Sequence, residues 1–270
     1  MSSSIAFIGG GNMASAIIGG LIRAGRAPAS IQVVEPFEAA RERLRAEFGV
    51  QVLAQADASL AAADLVIWAV KPQYFASAAA PCAGHIGQAM QLSVMAGIRS
   101  DSIARLTGSE RVVRAMPNTP ALIGQGIAGL FARPAVSAAD KALIEAVLAP
   151  TGSTLWVDAE VDLDAVTALS GSGPAYFFYI VEAMVTAAVE MGLTEAQGRQ
   201  LALATCGGAA ALGLQTSESV TVLRERVTSK GGTTFAAISS LQADGVGAAV
   251  QKAVKMAHIR AAELGDEFGA

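Results

Sequence analysis

Along the first half of the chain, short apolar runs alternate with stretches whose apolar residues recur every three to four positions. Residues 5–8, 31–35, 50–53, 65–70, 91–95 and 111–115 are strand candidates, and 126–131 and 154–157 extend the series. Helical periodicity covers residues 14–24, 37–48, 74–85 and 138–148, between those runs. Strands alternating with helices of this length predict βαβ units and a parallel sheet. From about Asp158 the strand pattern vanishes. "VDLDAVTALSGSGPAYFFYIVEAMVTAAVEMGL" keeps a helical period with a break at residues 171–174, and "TEAQGRQLALATCGGAAALGL" and "GVGAAVQKAVKMAHIRAAELG" predict further helices. We therefore expect an α/β domain over residues 1–158 and an all-helical one over 159–270, packed directly against each other for want of a linker.

Composition narrows the possible functions. In 270 residues, 19 basic and 23 acidic side chains leave a net charge of −4, without the basic footprint of nucleic-acid binding. No uninterrupted apolar run approaches the roughly 18 residues that span a bilayer, since Lys71-Pro72 and Glu182 interrupt the longest candidates. The start "MSSSIAFIGGGNMA" lacks a basic leader region, so cytoplasmic residence without a membrane partner is the expectation. Cys82 and Cys206 fit neither a disulfide framework nor a metal-ligand spacing, and His85 and His258 lie outside every motif. No metal is expected.

Chemistry enters at Gly9-Gly10-Gly11-Asn12-Met13-Ala14, a G-x-G-x-x-A string between the first strand and the first helix. Gly9 suits the tight turn, Gly11 lets a pyrophosphate approach the backbone, and Ala14 lets helix pack closely on strand. This context predicts a dinucleotide-binding Rossmann domain with a doubly wound, mostly parallel sheet. The second strand ends at Glu35, where a carboxylate would accept from the adenosine ribose and repel a 2′-phosphate. That leans towards NADH over NADPH, against the possible counterweight of Arg41 and Arg43. "AVKPQ" (69–73), "SVMAG" (93–97) and "MPNTP" (116–120) end later strands and so border the cofactor crevice, with Asn118 and Thr119 offering polar groups. "SGSGPAY" (170–176) reads either as a helix-to-helix turn or as a small-residue surface for close approach.

In "RVTSKGGTTFAAI" (226–238), Ser229, Gly231, Gly232, Thr233 and Thr234 precede a helix expected to begin near Phe235. Such a helix start suits a carboxylate, and Thr234 could donate to a nitrogen; a plain Ser/Thr-capped loop is the other reading.

Together, "FIGGGNMA", "AVKPQ", "MPNTP", "SGSGPAY" and "VTSKGGTT", in this order, resemble pyrroline-5-carboxylate reductase. The resemblance implies reduction of a cyclic imine, 1-pyrroline-5-carboxylate, to L-proline with NADPH or NADH. It also implies a helical domain that forms a homodimer, often within a ring of dimers, and an active site at the domain junction. By the same resemblance the cofactor loop falls on Gly9 to Ala14, and nicotinamide-side segments fall on Ala69, Val70, Lys71 and Pro72 and on Ala96 and Gly97. The substrate loop falls on residues 229–234, with Thr234 as the residue that hydrogen-bonds the ring nitrogen. Many relatives carry Pro where this chain has Lys230 and an Asn near the present Ala56 and Asp57, and Glu35 replaces the small polar or basic residue of NADPH-preferring members. A 3-hydroxy acid dehydrogenase needs a Lys in the first long helix of the helical domain, and no Lys falls between Lys141 and Lys230. A reductase of another cyclic imino acid and a non-catalytic NAD(P)H sensor are the alternative readings.

Overall fold

The computed structural model describes residues 3–269. Eight strands form one sheet: β1 Ile5–Ile8, β2 Ile31–Val34, β3 Gln51–Leu53, β4 Leu65–Trp68, β5 Met90–Ser93, β6 Val112–Met116, β7 Gly126–Ala132 and β8 Gly152–Trp156. Their order is β3-β2-β1-β4-β5-β6-β7-β8. Only the β6–β7 pair is antiparallel; the short link through the 3-10 turn Thr119–Ile123 returns the chain without a crossover helix. Every strand predicted from the apolar pattern is present, with ends moved by a residue or two.

Helices α1 Asn12–Arg23, α2 Glu38–Phe48, α3 Phe75–Ala79, α4 Ser100–Thr107 and α5 Ala138–Leu148 accompany the sheet. Alternate side chains of the central strands feed two cores: Ile5 and Phe7 join Ile17, Leu44 and Ile67, whereas Ala6 and Ile8 join Trp68, Phe75 and Ile103. Burial on both faces explains why these strands read as continuous apolar runs. The helix expected over 74–85 is shorter than its periodicity suggested. It ends at Ala79; Ala80 keeps helical backbone, but Pro81 has no N–H to continue the hydrogen-bond ladder.

The chain divides into two compact units, residues up to Ser172 together with Ala257 onward, and Gly173 to Met256. In the first unit, α6 Asp162–Val166 continues into a π-helical turn, Thr167–Gly171, which is what the expected break at "SGSG" becomes. Helices α7 Gly173–Glu190, α8 Glu195–Leu214, α9 Val220–Arg226, α10 Thr233–Ala243 and α11 Val246–Gly269 follow. Thr194 and Gln197 form a capping box that starts α8. In the second unit only Gly173, Val181, Ala188, Gly198 and Ala202 are buried. Phe177, Phe178, Tyr179 and Leu214 stand exposed. The run Asp162–Glu190 is, by length and composition, apolar enough to cross a membrane.

A polar network centres on Arg114 of β6. Glu160 pairs with the buried Arg114 at 2.8 Å and accepts both the backbone N–H and the hydroxyl of Ser100 at 2.6 Å. Burial pushes the Glu160 carboxyl up, but the Ser100 and Arg114 donors outweigh it and hold it below its ordinary value. Arg111, at 2.6 Å, likewise holds Asp140 low. Carboxyls depressed in the folded state lend stability that is complete above their unfolded pKa, about 4, and lost as pH falls through the folded value. Glu160→Ala leaves Arg114 buried and unpaired, which should cost about 3 kcal/mol at pH 7. Urea unfolding at pH 7 and at about pH 3.5 should also show a smaller acid loss for this variant than for the wild type, because one depressed carboxyl is gone.

Candidate functional site

The strand order reverses between β1 and β4, and a cleft of about 620 Å³ opens there at the carboxyl ends of β1, β2 and β4. Gly9, Gly10, Gly11, Glu35, Ala69, Val70 and Lys71 all line it. Gly9 has φ +99°, and a Cβ there would lie 2.7 Å from the Ala69 carbonyl oxygen, so no other residue fits the turn. At Gly11 a Cβ would meet nothing within 4 Å. Gly11 is also the N-cap of α1 and offers no side-chain cap, so the first-turn N–H groups of Asn12, Met13 and Ala14 have no side-chain acceptor there. An open glycine beside an uncapped helix start has the donor set that a pyrophosphate needs.

Glu35 is almost fully buried, and both carboxylate oxygens are engaged: Oε2 accepts from Gly10 N at 2.8 Å and Oε1 from Phe37 N at 3.0 Å. The side chain therefore fixes the glycine loop while lining the cleft. Arg41 is turned away from it, donating to the carbonyls of Glu35 and Pro36 and pairing with Glu38. Arg43 does line the cleft and donates to the Gly10 carbonyl at 3.0 Å. Of the two arginines weighed from sequence, only Arg43 is placed to face a ligand.

Other predicted residues lie outside the cleft lining. Asn12 is exposed, Met13 half-buried and Ala14 buried in the core, where it packs α1 on the sheet. Pro72 opens a 3-10 turn, Pro72–Tyr74. Ala96 and Gly97 follow β5, with Gly97 at φ +76°. Asn118 is held on both sides: its carbonyl oxygen accepts from Ile127 N at 3.1 Å, and its amide donates to Ser170 Oγ at 3.3 Å. "MPNTP" and the π-helical "SGSG" segment are thus tied together, an arrangement that periodicity could not reveal.

Phe37 and Tyr74 were not among the predicted site residues, yet both line the cleft with largely exposed rings. Large aromatic residues immediately after the second strand and after "AVKPQ" were the available signal. Two exposed rings beside the glycine loop offer a surface on which a purine base could stack.

In the second unit, the Gly232 N–H donates to the Ser229 carbonyl at 3.0 Å, closing a turn with Gly231 at φ +77°. Positive φ at the third residue is the type II pattern, in which Pro is favoured at the second. That position is Lys230. The turn delivers the chain to α10, which begins at Thr233, two residues earlier than expected. Its N-cap, Gly232, supplies no side-chain cap. Thr233 and Thr234 thus sit in the first helical turn, Thr233 exposed and Thr234 half-buried. Cys82, by contrast, is buried, donates to the Ala78 carbonyl, and has its thiol pushed up to about 11 by burial, so it is no nucleophile.

Comparison with known proteins matches residues 160–264 to the family model for pyrroline-5-carboxylate reductase dimerisation. Residues 4–97 match the model for coenzyme F420-dependent NADP oxidoreductases. The pyrroline-5-carboxylate reductase of Pseudomonas aeruginosa is 42% identical over 267 residues, covering 98% of both chains. That of Escherichia coli is 35% identical, covering 94% of this chain and 95% of its own. Among solved structures, the Coxiella burnetii pyrroline-5-carboxylate reductase superposes with a TM-score of 0.91 at 37% identity, covering 98% of this chain and 99% of its own. The Plasmodium falciparum pyrroline carboxylate reductase, solved with NADP bound, gives a TM-score of 0.87 at 25% identity over 98% of both chains. The chain belongs to the pyrroline-5-carboxylate reductase family.

Proposed function

We propose that this protein reduces 1-pyrroline-5-carboxylate to L-proline, the last step of proline biosynthesis, with a nicotinamide cofactor. The observation that carries the reading is the turn at residues 229–232 opening on the uncapped start of α10. The Ser229 and Thr233 hydroxyls and the Gly231 and Thr233 N–H groups hold the substrate carboxylate, Gly232 closes the turn that presents them, and the Thr234 hydroxyl donates to the ring nitrogen. Apart from Lys230, this segment has no titratable side chain between Arg226 and Ile238. An alcohol dehydrogenase would need a positioned base, but an imine carbon is already electrophilic, so orientation is the main demand. The cofactor supplies the hydride when bound.

For that cofactor we assign Gly9, Gly10 and Gly11, with the first-turn residues Asn12, Met13 and Ala14, to the pyrophosphate. Glu35 takes the adenosine ribose. Ala69, Val70, Lys71 and Pro72, with Ala96, Gly97 and Asn118, form the nicotinamide side. Glu35 supports a preference for NADH: a 2′-phosphate beside it would meet a buried carboxylate. Arg43 and Lys71 line the same cleft and soften that repulsion.

We further propose a homodimer built through residues 159–270, extending to a ring of dimers, with residues 1–158 as the dinucleotide-binding domain. The scarcity of buried side chains in the second unit supports this, since such a unit needs a partner surface to make a core. Phe177, Tyr179 and Leu214 would meet the second subunit, and Glu182 within the longest apolar run favours protein over lipid. A cytoplasmic enzyme without nucleic-acid or membrane partners is the corresponding reading.

Purified protein should oxidise NADH when given pyrroline-5-carboxylate, followed at the nicotinamide absorbance. Absence of turnover in protein that binds cofactor would leave a sensor instead. Thr234→Ala should lower kcat by about 10- to 100-fold, the worth of one hydrogen bond that strengthens as negative charge develops on the nitrogen during hydride arrival. Glu35→Ser should move the ratio of kcat/KM values for NADPH and NADH towards NADPH by about tenfold, once the repulsive carboxylate is gone. Lys230→Pro, which suits the second position of the turn, should raise stability by about 0.4–1 kcal/mol in urea unfolding with turnover retained.

A further inference from the structure

The loop after β5 has a second contact, made from the far end of the sequence. A Cβ at Gly97 would lie 3.0 Å from the carbonyl oxygen of Leu264, in the last turns of α11. One residue on, a Cβ at the buried Gly265 would lie 2.3 Å from Nη2 of Arg99 and 2.6 Å from its Cζ, so the guanidinium rests against the Gly265 backbone. Arg99 is itself fixed by two contacts to the buried Asp164, at 3.0 and 3.3 Å. Phe268 packs on the core cluster that holds Met95 and Ile98, the residues flanking Ala96 and Gly97. Residues from Ala257 onward belong to the same compact unit as the sheet. Thus the Ala96-Gly97 peptide is anchored by its buried neighbours and held from outside by the end of α11.

We infer that the C-terminal end of α11, through Leu264, Gly265 and Phe268, is a positioning element for the nicotinamide half of the cofactor, with Gly265 as its critical residue. The inference rests on the assignment of Ala96 and Gly97 to the nicotinamide side. A side chain at position 265 has to displace Arg99, whose partner Asp164 is buried, and so disturbs the backbone beside Gly97. The adenosine half is bound at the ends of β1 and β2, by residues that do not touch this contact.

The test compares NADH with ADP-ribose, which lacks the nicotinamide, by calorimetry on the full-length protein. Gly265→Val should weaken NADH binding by about tenfold while the ADP-ribose Kd stays within about twofold of wild type. Gly265→Ala and Phe268→Ala should show the same split at about threefold, and they decide the matter if the valine variant does not fold. Equal losses for both ligands, or none for either, would overturn the inference, because a merely structural role has no reason to separate the two halves of the cofactor. The reductase assay stands apart. Wild-type protein that binds both ligands but gives no turnover with pyrroline-5-carboxylate would sink the proposed reaction and leave the binding comparison intact.

Discussion

The cleft at the point where the strand order reverses depends on one buried carboxylate. Glu35 ends the second strand and accepts N–H groups from Gly10, beyond the first strand, and from Phe37, in its own loop. Two loops that must be held at fixed separation are tied by a single side chain. Because hydrogen bonds to a charged acceptor are roughly twice as strong as neutral ones, this is an economical way to stiffen a glycine run that has no side chains of its own. The same residue places a carboxylate in the cleft lining, beside Arg43 and Lys71. Under the proposed assignment of the ribose to Glu35, the rigidity of the glycine loop and the choice between cofactors would be coupled through one group.

Strand order follows from this arrangement as much as it permits it. With β1 central and its neighbours β2 and β4 reached by crossovers in opposite directions, three strand ends converge on one cleft. Later strands contribute differently. The loop after β6 is tied by Asn118 to the π-helical turn at Thr167–Gly171, and the loop after β5 is held by the end of α11. A π-turn inserted in a helix re-aims the residues that follow, and such turns recur at functional sites.

Much of this was legible in the sequence because it is local. Strands buried on both faces announce themselves as apolar runs, and the Gly9 turn is specified by its own backbone conformation. The turn at residues 229–232 could be singled out from its glycines and threonines, and even the oddity of Lys230 resolves into a turn position with a known preference. What escaped was set by partners far away in the chain. Arg41 and Arg43 are indistinguishable in sequence, yet one is spent on backbone carbonyls of its own loop and the other faces the cleft. The eight residues of α4 carry too short a pattern to stand out, and the contact of residue 264 with residue 97 leaves no periodic trace at all.

The helical unit carries a consequence of another kind. A body whose interior holds little more than Val181, Ala188 and Ala202 cannot draw its stability from its own core. If its missing core is supplied by a second copy, the folded state is a product of association, and protein concentration enters its free energy as temperature or denaturant does. Dilution would then act as a destabilising agent, and a newly made chain would complete its helical half only after meeting another.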